Sequence, residues 1–238
     1  MQDLLDYTND IERETAKGED KRRLIPEDVV RDLKYVYINK FFYCKFKRLV
    51  DLVLSVLGLV VLLIPFAIIA LIIYCDDPGR VIFSQYRIGR RGKRFKLYKF
   101  RTMKMDTPKY LSTMDMKNPD RYITRVGRVL RKTSLDELPQ LFNVLKGDMS
   151  LVGPRPLIAD EYEIHMMRMR FGVYSVRPGV TGLAQIHGRD LVSPADKVRW
   201  DVKYLQGFGF WQDLNIILNT IPKVFCKDGV IEGCGSKK

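Results

Sequence analysis

Residues 131–140 read RKTSLDELPQ and set two adjacent carboxylates, Asp136 and Glu137, among cations. Apolar residues recur in and beyond this stretch at three- and four-residue steps, which predicts a helix with one apolar face: Leu135, Leu138, Leu141, Phe142 and Leu145. Gly147 is its predicted end, and Pro139 is tolerable because it falls in or next to the first turn. The positive end of the helix dipole favours the ionised form of these acids. It also favours a bound phosphate or the ligand set of a metal ion.

Two interpretations of this helix start stay open. Ser134 and Glu137 have the spacing of a capping box, and acids in a first turn commonly do no more than stabilise it. Upstream, basic residues recur at helical spacing and lead into the acidic pair: Arg121, Arg125, Arg128 and Lys132. Because cations beside carboxylates that can bind Mg²⁺ suit a polyphosphate substrate, these residues favour chemistry over capping.

Composition narrows the choice of partner. The 238 residues carry a formal net charge of +13, which implies an anionic partner such as nucleic acid, anionic lipid or a phosphorylated substrate. The four cysteines lack paired metal-ligand spacing and there are only two histidines, which disfavours a zinc site or a histidine-based triad. We expect reduced thiols, with Cys44 and Cys75 open to acylation. Glu161 and His165 are expected to form a surface pair.

A continuous apolar run covers residues 52–74, and its 23 residues would reach about 34 Å as a straight helix, enough for a bilayer core. Both flanks are basic, and residues 78–105 contain ten Lys or Arg and no acid. The positive-inside bias therefore favours a re-entrant helix that breaks at Pro65, with arms of roughly 20 and 15 Å. An ordinary spanning helix with a proline kink is the alternative. Arg48 and Asp51 are predicted to pair at the headgroup level.

A basic β-hairpin is predicted after the apolar run. Residues 81–83 and 95–100 have the composition of short strands around a turn at residues 89–92. Lys99 and Arg101 at its end are candidates for phosphate binding. Contact with anionic lipid is an equal alternative for the basic residues near the turn: Arg90, Arg91, Lys93 and Arg94.

Later loops supply a further candidate cation. Residues 153–156, Gly-Pro-Arg-Pro, predict a rigid loop that presents Arg155 for bidentate phosphate contact, with a buried structural arginine as the alternative. In the loops at residues 177–182 and 188–190 the backbone could approach a nucleotide closely. Residues 200–205 and 211–225 predict two helices, and the amphipathic second one suits either a membrane interface or a core-facing position.

Five motifs, in this order and spacing, resemble the bacterial sugar transferases that act on polyprenyl phosphate, the small monotopic phosphoglycosyl transferases. They are Lys47-Arg48 with Asp51, Asp77-Pro78-Gly79, Tyr98-Lys99-Phe100-Arg101-Thr102-Met103, Thr133-Ser134-Leu135-Asp136-Glu137-Leu138-Pro139-Gln140 and Gly153-Pro154-Arg155-Pro156. The resemblance covers roughly residues 45–225. One departure lies at the membrane break, where many small members carry Ser-Pro but Ile64 precedes Pro65 here.

The resemblance implies transfer of a sugar 1-phosphate from a UDP-sugar to polyprenyl (undecaprenyl) phosphate, with release of UMP. In that family the first acid of the pair attacks the phosphorus next to the sugar and the second holds Mg²⁺, roles that fall on Asp136 and Glu137. A carboxylate suits such chemistry, since an acyl-phosphate intermediate splits the transfer into two displacements. The implied phosphate-binding residues are Lys99, Arg101, Arg131 and Arg155.

The expected fold is mainly α with a small β-hairpin, anchored in a membrane by the proline-broken re-entrant helix. Its parts are a charged extension (1–44), the re-entrant helix (45–76), a cytosolic catalytic domain with interfacial amphipathic helices (77–225) and a tail (226–238). We expect it at the cytosolic face of the bacterial inner membrane, acting in surface polysaccharide or glycoconjugate synthesis.

Its expected partners are a UDP-sugar, polyprenyl phosphate and membrane lipid, with no nucleic acid and with a homo-oligomer left open. Two alternatives remain. One is a non-catalytic bitopic membrane protein whose basic domain binds nucleic acid or anionic lipid, and the other is a glycosyltransferase that releases UDP.

Overall fold

The computed structural model describes residues 40–107, 121–188 and 193–225, which are mainly helical with two small β-sheets. The helical content and one β-hairpin agree with the prediction, and the second sheet was not predicted. The helices are α1 (Phe41–Val61), α2 (Leu63–Asp76), α3 (Arg125–Thr133), α4 (Gln140–Lys146), α5 (Tyr162–Arg170), α6 (Leu183–Ile186), α7 (Pro194–Gln206) and α8 (Phe210–Phe225). The strands are β1 (Ile82–Ile88), β2 (Arg94–Phe100), β3 (Ser150–Val152) and β4 (Gly179–Thr181). Most of the predicted extension, residues 1–39, and the tail from residue 226 lie outside the described ranges.

Helices α1 and α2 form a bent pair, with a 60° change of direction at the break. The break is at Leu62, so Pro65 lies in the first turn of α2 instead of at the turning point. Pro65 has no N–H for the carbonyl of Val61, and its ring crowds that carbonyl, which explains a break just before it. The 21 residues of α1 make that arm about 31 Å long, more than predicted.

The outer surface of the bent pair is apolar. Among the described helices, none alone is long and apolar enough to cross a bilayer, whereas α1 and α2 together have that length and composition. The side chains on either side of the break are 69–74% exposed: Val60, Val61, Leu63 and Ile64. A contiguous apolar surface of this kind marks a contact region.

The inner face of α1 is attached to the rest of the protein. Arg48 donates to the carbonyls of Val144 (2.6 Å) and Leu145 (3.0 Å) in the last turn of α4, where a cation is favourable. Asp51 is buried, and its Oδ1 accepts from the Leu151 N–H at 3.0 Å. Both side chains are therefore directed into the protein in place of the predicted headgroup pairing, because their face of α1 packs against α4 and β3.

Asp213 of α8 connects the first and last described helices. Its Oδ2 accepts from the Tyr43 hydroxyl at 2.5 Å and lies 2.5 Å from the Lys47 Nζ, while its Oδ1 accepts from the Tyr204 hydroxyl at 2.8 Å. Lys47 is 12% exposed and Asp213 is 9% exposed. Three donors thus satisfy one buried carboxylate.

The predicted hairpin is confirmed. Strands β1 and β2 pair antiparallel from Ile82 opposite Phe100 to Ile88 opposite Arg94, so β1 extends five residues past its predicted end. Phe95 and Leu97 of β2 pack into a core cluster that includes Val144 of α4 and Met149 just after it. The hairpin and α4 therefore form one packed unit.

Residues 177–182 are not the predicted nucleotide loop, because residues 179–181 form β4, which pairs parallel to β3. A Cβ on Gly179 would lie 2.1 Å from the Gly153 nitrogen, and one on Gly182 would lie 2.1 Å from the Gly153 oxygen. These glycines allow one backbone segment to contact another. Arg177 donates to the Gly147 carbonyl at 2.9 Å. In the other predicted loop, residues 189 and 190 lie outside the described ranges.

Helix α8 exposes much of its predicted apolar face. Trp211 is 77% exposed, Leu218 is 58% exposed and Ile221 is 56% exposed, while Asp213 and Ile216 are buried. This distribution favours the interfacial interpretation of α8 over the core-facing one.

Candidate active site

Asp136 and Glu137 lie in a 3₁₀ turn, Leu135–Glu137, between α3 and α4. The predicted single helix is two pieces, since Pro139 immediately precedes α4, where it needs no backbone donor. Ser134 has a left-handed backbone with φ of 57°, and its side chain does not cap this turn, so the capping-box interpretation is wrong. Gly147 ends α4 as predicted, with φ of 89°.

Lys99 approaches the acidic pair from β2. Asn143 of α4 is fully buried and holds this strand, because its Oδ1 accepts from the Tyr98 N–H at 3.0 Å and its Nδ2 donates to the Lys96 carbonyl at 2.6 Å. Burial lowers the pKa of Lys99, and the negative charge of Asp136 opposes that change. The ammonium therefore lies within electrostatic reach of the candidate nucleophile.

Arg131 approaches from α3. Thr124 caps this helix by accepting from the Gly127 N–H at 2.8 Å. A Cβ on Gly127 would lie 2.0 Å from the Thr102 carbonyl oxygen, so glycine is what allows α3 to pack onto the segment after β2. Thr102 Oγ1 then accepts from Arg131 Nε at 2.9 Å. Four basic residues were predicted at helical spacing upstream of the acidic pair. Arg125, Arg128 and Lys132 are exposed on α3, and Arg121 lies before this helix.

Arg155 approaches from the loop after β3. Its Nη2 donates to Glu137 Oε1 at 2.9 Å, and its side chain is 45% exposed, which excludes the buried structural arginine of the alternative interpretation. The backbone of this loop is held by Arg168, which donates to the Arg155 carbonyl at 2.8 Å. Arg168 is itself buried in an ion pair with Asp201, with Nη2 to Oδ2 of 2.7 Å. A fixed loop therefore presents a solvent-accessible guanidinium to Glu137.

Asp136 is buried, and this desolvation raises its pKa to about 6. The charge of Glu137 adds to the rise, while Lys99, Arg131 and Arg155 oppose it. At neutral pH the carboxylate is thus ionised, poorly hydrated and surrounded by cations. Those are the properties of an activated nucleophile for a phosphorus centre.

Arg101 is held by Asp77 at the end of α2. Its Nη1 lies 3.2 Å from Asp77 Oδ2, and its Nη2 donates to the Asp77 carbonyl. Asp77 also accepts from the Met105 N–H at 3.0 Å. Buried in these contacts, Arg101 joins the end of β2 to the end of α2, and its phosphate contact stays a prediction.

The sequence prediction missed Arg87 and Arg168. Arg87 is at the end of β1, and its charge acts on Lys99. A longer β1 would have revealed it, since strand alternation puts Arg87 on the same hairpin face as Lys99. Arg168 had no such signal, because its partner Asp201 is 33 residues away and on another helix.

In residues 40–107, 121–188 and 193–225, no group of three or more His, Cys, Asp or Glu side chains converges. Cys44 and Cys75 form no disulfide, and the other two cysteines lie outside those ranges. His165 is buried, with Nε2 2.7 Å from a backbone carbonyl, so the predicted surface pair with Glu161 is wrong.

The family model of bacterial sugar transferases matches residues 42–227. The exopolysaccharide production protein ExoY of Sinorhizobium fredii is 40% identical over 197 residues, which cover 77% of this chain and 87% of that protein. The undecaprenyl-phosphate galactose phosphotransferase of Salmonella typhimurium is 40% identical over 197 residues, 77% of this chain and 41% of that protein. The UDP-glucose:undecaprenyl-phosphate glucose-1-phosphate transferase of Caulobacter vibrioides is 40% identical over 192 residues, 76% of this chain and 70% of that protein. The match thus spans less than half of some curated relatives and most of others.

Proposed function

Because this chain belongs to the bacterial sugar transferase family, we propose that it transfers a sugar 1-phosphate from a UDP-sugar to undecaprenyl phosphate and releases UMP. This reaction is the first membrane step in making a surface polysaccharide or glycoconjugate. The names of the relatives support the sugar phosphate and the lipid carrier. The observation that carries the proposal is the buried carboxylate of Asp136 under the charges of Lys99, Arg131 and Arg155.

The proposed reaction has two displacements at one phosphorus. In the first, Asp136 Oδ bonds to the phosphorus next to the sugar, the bridging P–O bond breaks, and its electron pair leaves with UMP. In the second, a phosphate oxygen of the polyprenyl phosphate attacks the acyl phosphate and frees the carboxylate. Two steps allow a water-soluble donor and a lipid-embedded acceptor to use one site in turn. The surrounding cations offset charge on the transferring group.

Glu137 and Asp136 together suit Mg²⁺. This ion prefers oxygen ligands and commonly takes one or two carboxylates, with waters and substrate phosphates completing its shell, so that no third protein ligand is required. Glu137 would hold the ion, and the ion would supply charge neutralisation for the diphosphate. The ion pair with Arg155 keeps the Glu137 carboxylate oriented beside Asp136.

Glu137→Gln should lower activity mainly by weakening Mg²⁺ binding, because a neutral amide is a poorer ligand for a hard cation. We expect the Mg²⁺ concentration at half-maximal rate to rise roughly tenfold or more, with part of the rate recovered at high Mg²⁺. Glu163→Gln, at an exposed position of α5, is the control. An unchanged Mg²⁺ dependence in Glu137→Gln would remove this residue from the metal site.

The nucleotide product tests the proposed reaction. Membranes that contain the protein are incubated with a panel of UDP-sugars and undecaprenyl phosphate, and the released nucleotide is identified. UMP together with a lipid-linked sugar phosphate is the expected result, and the active UDP-sugar identifies the sugar. UDP would indicate a glycosyltransferase of another type. The absence of nucleotide release with every donor would favour the non-catalytic alternative.

The proposal places α1 and α2 in the cytosolic leaflet of the inner membrane, entering and returning on the same side. The 60° bend, the exposed apolar side chains at the break and the basic flanks support this path. The exposed apolar side chains of α8, with Trp211 foremost, support a second contact at the membrane surface.

The N-terminus and the catalytic domain should therefore lie on the same, cytosolic side. The measurement uses cysteine tags at the N-terminus and after Lys238, an impermeant thiol reagent and intact cells, with exposed Cys75 and the two C-terminal cysteines replaced by serine. Pro65→Leu restores a backbone donor and helix propensity, so it should shift some molecules toward spanning. Labelling of the N-terminal tag from outside in the parent protein would show that the anchor is an ordinary transmembrane helix.

A further inference from the structure

Arg87 is a largely buried cation whose hydrogen-bonding capacity is mostly unused. Its Nη2 donates to Gln85 Oε1 at 2.9 Å, and its Nε is buried with no hydrogen-bond partner in the described part of the chain. Within the same ranges it takes part in no carboxylate ion pair. A guanidinium has five donors, and leaving buried ones such as this Nε–H unmet away from water is costly. An anionic ligand would satisfy them.

The hairpin register directs Arg87 toward the catalytic cluster. Arg87 is opposite Phe95 and Lys99 is opposite Phe83, so side-chain alternation puts Arg87 and Lys99 on one face of the hairpin. Four residues of β1 separate their positions along the strand, about 13 Å. The site therefore has a cation at each end of this face.

The Arg87 end of this face lies against the loop that carries Arg155. The next residue, Ile88, donates its N–H to the Leu157 carbonyl at 2.9 Å in an isolated antiparallel bridge. Both residues of the bridge are buried. Two residues before Leu157, Arg155 extends toward Glu137. Arg87 and Arg155 are thus adjacent cations on two segments that are fixed to each other.

The charges that act on Arg87 come from Arg155, Glu161 and Glu137. Burial lowers the pKa of Arg87 to about 10, the charge of Arg155 lowers it further, and Glu161 and Glu137 oppose this. Arg87 remains charged at neutral pH. The cations that act on Asp136 are Lys99, Arg131 and Arg155. In the hairpin register Arg87 is the cation at the end of this face away from Lys99, next to the loop that carries Arg155.

We propose that Arg87 binds the phosphate that departs with the nucleotide, one phosphate away from the phosphorus that Asp136 attacks. This inference rests on the proposed function. When the bridging P–O bond breaks, its electron pair remains on the oxygen that becomes part of UMP, and no proton transfer is needed. Arg87 offsets the charge that develops on this leaving group. It has no such role in the second displacement, after UMP has left.

The two half-reactions separate this role from a structural one. Arg87→Gln and Arg87→Lys are compared with Arg94→Gln, which removes an exposed arginine from the opposite face of the same hairpin. Adduct formation from UDP-sugar, inhibition by UMP, and discharge of preformed adduct to undecaprenyl phosphate are measured. Arg87→Gln should slow adduct formation and weaken UMP inhibition by roughly tenfold or more, with discharge within about twofold of the parent.

Arg87→Lys should recover part of the lost UMP inhibition, because it keeps the charge but not the planar donor geometry. Unchanged UMP inhibition in Arg87→Gln would overturn the inference, and so would equal losses in both half-reactions, which indicate a structural role or contact with the acceptor phosphate. Failure of the parent protein to form an adduct or to release UMP would instead contradict the proposed function itself.

Discussion

Asp136→Asn should abolish both turnover and the covalent phosphosugar adduct, with a loss in kcat of about 10³-fold or more. The amide has nearly the same shape as the carboxylate but lacks the negative charge that attacks phosphorus. Intact-protein mass spectrometry after incubation with a UDP-sugar alone detects the adduct, and UMP release measures turnover. Substantial UMP release by this variant would show that Asp136 is not the nucleophile.

The same variant should be more stable than the parent at neutral pH. Folding raises the pKa of Asp136 from its ordinary value of 3.8 to about 6, so the folded state favours the protonated carboxyl. The stability that the folded protein has with this carboxyl protonated is fully present below pH 3.8, and it is lost as the pH rises through about 6. At pH 7.5, without Mg²⁺ or substrate, the neutral amide should therefore raise the free energy of unfolding by at most about 3 kcal/mol.

Thermal unfolding at pH 4 and pH 7.5 in the presence of EDTA measures this effect. The gain in Tm should appear at pH 7.5 and nearly vanish at pH 4. Asp160→Asn removes an exposed carboxylate and serves as the control, with the same Tm difference at both values. A Tm of Asp136→Asn below that of the parent at pH 7.5 would contradict the destabilising effect of the buried charge. For the parent, the rate of adduct formation should fall as the pH drops through about 6, because only the ionised carboxylate attacks.

Arg155→Lys should reduce kcat/KM by roughly 10- to 100-fold although it keeps the charge. The guanidinium of Arg155 is 45% exposed, contacts Glu137 at 2.9 Å and is carried by a loop whose backbone is held by Arg168. A planar fork on a fixed backbone can contact two phosphate oxygens at once, whereas an ammonium is a flexible point charge. Steady-state kinetics over a range of UDP-sugar concentrations measure the loss.

Arg170→Lys on α5 is the matched control, because Arg170 is an exposed arginine outside the site. It should remain within about twofold of the parent. If Arg155→Lys also does so, Arg155 supplies general positive potential and no defined two-point contact.

Local features of the structure could be predicted from the sequence, whereas contacts between residues far apart in the chain could not. The acidic pair, Gly147 as a helix end, the hairpin and the bend near Pro65 each follow from chemistry within a few residues. The capping box was wrong because Ser134 takes a left-handed backbone, which spacing alone does not reveal. Residue composition gave no reason for the 3₁₀ turn that separates α3 from α4.

The partners of the cations share one property that the sequence does not reveal. A sequence shows which residues are basic but not which partner each one finds in the fold. Arg101 is bound to Asp77, 24 residues earlier, and Arg48 is bound to carbonyls 96 and 97 residues later. Arg155 was assigned from the family motif and its rigid loop, and the structure brings it to Glu137, 18 residues away. The partner, and not the charge, decides which arginines are available to a substrate.

The cluster around Asp213 constrains how this protein is synthesised. Tyr43 and Lys47 leave the ribosome 170 and 166 residues before the carboxylate that they share. Closing a loop of this length delays folding, because the chain entropy is lost before the contact is gained. The polar end of α1 therefore waits for translation of α8. A nascent chain that stops before α8 lacks the carboxylate that the Lys47 ammonium and the Tyr43 and Tyr204 hydroxyls share in the folded protein.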